Sequence, residues 1–341
     1  MPLPFILGAG AAIAGVVGVG SGIHGAVKAK EASDTIQSAK YKHEKNVAKF
    51  EKHNNQTTET MDNLGKLELE ILKSFEDFSD VIERIQNRPE FKSYSKDGVE
   101  LPKYNKETLK EVSVGAGVLL GGISGAAAGT AGGFAAAGAT TAAVMALGTA
   151  STGTAIASLS GAALTNATLA ALGGGAIAAG GGGIALGTTV LGAATLGVGL
   201  LVGGVIFNVT GSKLSEQADE AYAQMKKAEK TINEIVKYLK ELNKIATEYI
   251  DSLNTVQSKY MKSFNYLSYT VNELQKTDWN DFTEDEKLAT QNTVLLVSLL
   301  YKMCQVSLVK KADEENEMNN INKEEIDKSI QNAQSVLQEV A

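Results

Sequence analysis

From Val112 to Ser212 the chain runs for 101 consecutive residues without an Asp, Glu, Lys, Arg or His. A soluble fold would have to bury nearly all of such a segment, because nothing in it except Ser, Thr, Asn and the backbone can face water favourably. The block also holds 26 of the 35 glycines and contains no proline, tyrosine or tryptophan. A second apolar run, Met1 to Val27, carries seven more glycines and one histidine, so every formal charge lies in the remaining residues. The chain therefore divides into four segments: an N-terminal apolar Gly-rich helix at 1–27, a long amphipathic helix and connector at 28–111, the uncharged region at 112–212, and a long heptad helix with C-terminal helices at 213–341. This partition excludes the evenly mixed pattern of a nucleotide-binding enzyme or a β-sandwich.

Glycine spacing says how the uncharged block packs. Gly117, Gly121, Gly125, Gly129 and Gly133 recur every four residues, and Gly183 with Gly187 and Gly199 with Gly203 repeat the interval. On a helix this spacing makes a smooth face that lets backbones approach closely inside lipid, where apolar side chains alone give no preference for association. Gly10, Gly18 and Gly22, with Ala14 between them, extend the pattern to the N-terminus. An ionised group at the bilayer centre costs about 2.5–3.5 kcal/mol on insertion scales, so lipid is where lack of charge is an advantage. At roughly 20–25 residues per crossing the block accommodates four spans or two longer hairpin arms. Either even number returns Lys213 to the side that Glu111 leaves, so that the charged helices can pack outside the membrane. The alternative is a soluble Gly/Ala core. Residues 3–20 lack the positive leader of a secretory signal, with Pro2 and Pro4 in its place, and are read as a retained membrane-seeking helix rather than a cleaved one.

The charged segments read as all-α, a long amphipathic helical bundle or coiled-coil stalk attached to the Gly/Ala-rich region. Between Lys28 and Arg88 apolar residues return at helical spacing, at Met61, Leu64, Leu67, Ile71, Phe75, Phe78, Ile82 and Ile85. Weak helix formers from His53 to Thr60 predict a kink, and Pro89, Gly98 and Pro102 an irregular connector. From Leu214 a heptad steps by four and three through Leu239, Leu242, Leu253 and Val256 to Tyr260. It then takes an extra four to Phe264 and continues to Leu274. Those four aliphatic residues are the predicted stalk-packing positions. Thr283 to Glu286 spells a capping box for a buried helix carrying Val294 to Leu300, and a last amphipathic helix holds Ile326, Ile330, Val336 and Leu337. No strand is required in the charged parts.

No catalytic, cofactor-binding or metal-binding residues emerge. His43 and His53 stand on a polar helix and are expected to be solvated, and Cys304 on an apolar helix reads as core. Gly20 to Gly25 matches a dinucleotide fingerprint without the strand that would give it meaning. With 32 basic and 39 acidic residues and no basic stripe, nucleic acid is excluded as a partner. Long helix, uncharged Gly-rich segment and long helices together resemble the α-helical pore-forming toxins of the cytolysin A and tripartite-enterotoxin type, and also the apolipoprotein L family. Ala146 to Ala163 and Ala178 to Gly183 resemble glycine-zipper segments of bacterial membrane proteins. The resemblance implies a non-enzymatic, membrane-inserting protein that oligomerises and permeabilises a bilayer. Its partners would be lipid, further copies of itself, and a protein covering the apolar region during delivery in soluble form. The alternative function is a membrane-anchored coiled-coil scaffold that transports nothing.

Overall fold

The computed structural model describes residues 23–96, 98–110, 112, 113, 116, 214–306, 308–310 and 320–340. About 80% of this is helical, which makes the protein all-α. Helix α1 spans Ile23–Ile82, α2 Leu214–Asn272, α3 Glu284–Met303 and α4 Lys323–Glu339. A further helical run covers 106–110, opened by Asn105, whose Oδ1 accepts from the Thr108 N–H at 2.9 Å.

The expected kink at 53–60 is absent: α1 is continuous. The weak helix formers there are held by the neighbouring helix instead. Thr57 is buried, with its hydroxyl 2.9 Å from the His53 carbonyl and 3.1 Å from the Leu239 carbonyl. Thr60 donates to Asn243 Oδ1 at 2.7 Å. Tertiary hydrogen bonding has overridden a local preference worth only tenths of a kcal/mol per residue. The helix ends ahead of Pro89, where Asn87 takes a left-handed φ of 54°.

Two short antiparallel strand pairs stand where no strand is expected. Strands β1 (Tyr94–Lys96) and β2 (Val99–Leu101) pair, as do β3 (Val309–Lys310) and β4 (Asn320–Ile321). The Lys96–Val99 pairing leaves a two-residue turn, and Gly98 supplies the positive φ of 79° that such a turn needs. Val99 and Leu101 face the core. Lys302 donates to the Glu100 carbonyl, and Lys96 pairs with Glu339 at 3.3 Å, so the hairpin is clasped to α3 and α4.

The described residues form two compact units, and α1 and α2 contribute to both. One holds 23–57 with 214–241; the other holds the described residues of 58–116 with 242–340. In the first, Ala218, Ala221, Met225, Ile232, Ile235 and Leu239 of the heptad are buried together with Ala32, Ala39 and Phe50 of α1. In the second, the series continues buried from Leu242 through Tyr249, Leu253, Val256, Tyr260 and Phe264 to Val271. It stops there. Leu274, the last predicted step, lies beyond the end of α2 and is 47% exposed.

The second unit buries more of α1 than one stripe. Leu69 and Leu72 are covered along with Met61, Leu64, Ile71, Phe75, Phe78 and Ile82, whereas Leu67 is only half-buried. In α3, the run Val294, Leu296, Val297, Leu299 and Leu300 is buried almost all round, as its uninterrupted apolar sequence requires. Phe75 meets Tyr260 edge-on at 6.3 Å, and Tyr260 stacks on Phe264 at 5.8 Å.

The junction of α2 and α3 is closed by the predicted capping box. Thr283 Oγ1 accepts from the Glu286 N–H, and the Glu286 carboxylate accepts from the Thr283 N–H at 2.7 Å. The same carboxylate, 5% exposed, takes Lys276 Nζ at 2.7 and 2.8 Å. Burial pushes the Glu286 carboxyl up, but Lys276 and the Thr283 N–H outweigh it and hold the group below the usual carboxylate range. Its stabilisation is present above the ordinary carboxyl pKa and is lost as pH falls through the lowered one. Glu286→Gln is expected to destabilise by about 1–3 kcal/mol at neutral pH and by less in acid, read by urea unfolding. Equal losses at both pH values would show that the charge contributes nothing.

Candidate functional site

The candidate functional feature is the direction of the two long helices. In the first unit Lys42 Nζ lies 5.3 Å from the centre of the Tyr222 ring, Lys49 donates to Asn233 Oδ1 at 2.8 Å, and Thr57 meets the Leu239 carbonyl. Numbers rise together on both helices, so α1 and α2 run parallel. Their N-termini therefore lie at the same end of this unit. Leu214 directly follows the 101-residue uncharged block, and Ile23 stands at the close of the N-terminal apolar run. The C-terminal ends of both uncharged segments thus meet the helices at one end of this unit.

Parallel helices need a return path, and its first part is visible in the second unit. Lys106 pairs with Glu83 at 3.2 Å, Lys110 with Asp80 at 3.0 Å, and Ser113 donates to the Lys73 carbonyl at 2.7 Å. Numbers rise on one side and fall on the other. The chain has therefore turned round after α1 and runs antiparallel to it as the uncharged block begins.

The predicted stalk residues Leu239, Leu242, Leu253 and Val256 are each fully buried. The glycine positions Gly10, Gly18, Gly22, Gly117, Gly121, Gly125, Gly129, Gly133, Gly183, Gly187, Gly199 and Gly203 lie outside the described residues. Among the described residues no helix is long and apolar enough to cross a membrane. A membrane role would therefore rest on the two uncharged segments, most of whose residues lie outside those described.

His43 and His53 are half-buried rather than solvated. Burial lowers the His43 pKa against the raising influence of Glu44. Burial, then Lys240 and Lys52, lowers that of His53. Both are held towards the neutral form. Cys304 is fully buried, and burial pushes its thiol up, which is the opposite of a reactive thiolate. Among the described residues no three His, Cys, Asp or Glu side chains converge as a metal site. What the sequence could not show is Glu68, a carboxyl sealed in the core of the second unit. It falls on the predicted apolar face of α1 by spacing, four residues after Leu64, but a single glutamate there reads as an edge position.

Compared with protein-family models, curated proteins and solved structures, the chain matches none.

Proposed function

We propose that the protein is a non-enzymatic, membrane-inserting helical protein whose copies oligomerise and permeabilise a bilayer. The observation that supports this reading is the parallel course of α1 and α2, which brings the C-terminal ends of two uncharged, Gly-rich segments to the same end of one helical unit. Segments joined at one end can enter one bilayer side by side. The glycine faces would then hold helices together in lipid, and Thr140, Thr141, Ser151, Thr152, Thr154 and Asn166 would supply the polar side chains that a water-filled lining needs.

The test is dye release from liposomes by the purified full-length protein, with the same sample sedimented to score oligomers. The expected result is release that rises with the oligomer fraction. Stable insertion without release would replace permeabilisation by a membrane-anchored scaffold. A monomer that ignores lipid would overturn the membrane reading altogether.

A further inference from the structure

Glu68 is 0% exposed, and among the described residues neither of its carboxyl oxygens has a hydrogen-bond partner. It stands on α1 where three other helices of the same unit converge. Tyr249 of α2 faces it, but the phenol is committed elsewhere: it donates to the Met303 carbonyl at 2.7 Å, with Ser329 Oγ of α4 at 3.1 Å. Glu68 in turn raises the thiol of Cys304, at the end of α3, and Glu325 of α4 acts on the Tyr249 phenol. Burial holds both Tyr249 and Cys304 in their neutral forms. Among the described residues no cation acts on Glu68, and burial alone sets its protonation, pushing the carboxyl well above the ordinary range.

A carboxylate with no exposed surface, cation or donor is among the most expensive groups a core can hold, whereas the neutral acid costs far less. We propose that Glu68 is a proton-operated latch: with its proton it lets α1 lie against α2, α3 and α4, and on losing it the carboxylate loosens that contact. The direction follows from linkage. The unfolded chain releases this proton at about pH 4.3, while the folded one keeps it to higher pH. The contact therefore weakens as pH rises above the ordinary carboxyl value and levels off past the raised one. This inference stands apart from the membrane reading, and no liposome result bears on it.

The test uses the full-length protein and Glu68→Gln, which keeps the shape and removes the titration. Thermal unfolding is followed from about pH 5 to about pH 9, with infrared spectra of both proteins at neutral pH. The expected result is a wild-type Tm that falls below that of E68Q with rising pH, by at least ~3 °C, and a protonated-carboxyl band in the wild type that E68Q lacks. Parallel Tm profiles together with no such band would overturn the latch. Should E68Q fail to fold, the wild-type infrared spectrum decides by itself, because a carboxylate ionised at neutral pH shows no band.

Discussion

Replacing Gly125 by leucine is expected to abolish both oligomers and dye release while leaving α1 and α2 folded. Gly125 is the middle of five glycines spaced four apart, so on a helix it has a glycine one turn away on either side. Leucine puts four carbons where backbones must touch, and overpacking of that kind costs about 1–3 kcal/mol per contact. Each contact is then weakened roughly 5- to 150-fold, and an assembly repeats the loss at every subunit. Circular dichroism should report unchanged helix content, since the substitution lies outside both compact units of described residues. Survival of both oligomers and leakage would dispose of the glycine-face account. Loss of release with oligomers intact would place assembly on other surfaces and leave Gly125 a role in insertion alone.

Phe75→Ala should have the largest effect on the described fold, a loss of about 3–5 kcal/mol. Phe75 has no exposed surface, and its ring meets Tyr260 edge-on in the layer that joins α1 to α2. The cavity cannot be filled from one side, because α1 is buried on the face carrying Leu69 and Leu72 as well. Set against the usual 5–15 kcal/mol of a whole domain, that loss takes much of the unit's stability. Urea unfolding should show a lower midpoint at an unchanged slope. The control is Tyr41→Ala, at a position 68% exposed, which should fall within about 0.5 kcal/mol of wild type. A loss below about 1 kcal/mol for Phe75→Ala would mean that α1 and α2 do not pack as described.

The amino-acid sequence by itself determined the all-α class, the uncharged region, the buried positions of α2 and the capping box at Thr283. Each rests on a rule acting over a few residues: helical periodicity, absence of charge, or a side chain reaching its own backbone. Tertiary structure decided the rest. A heptad reads the same in parallel and antiparallel helices, so only contacts such as Lys49 to Asn233 could establish that α1 and α2 run together and that the C-terminal ends of both uncharged segments meet them at one end. The helix stayed whole at Thr57 because a carbonyl of another helix accepts its hydroxyl. The clasp that holds β1 and β2 to α3 and α4 is made by side chains far apart in sequence, which no local signal describes. Glu68 became a buried acid because three further helices close over one residue of a face. Burial is a property of everything packed around a side chain, and that is set by contacts between residues far apart in sequence.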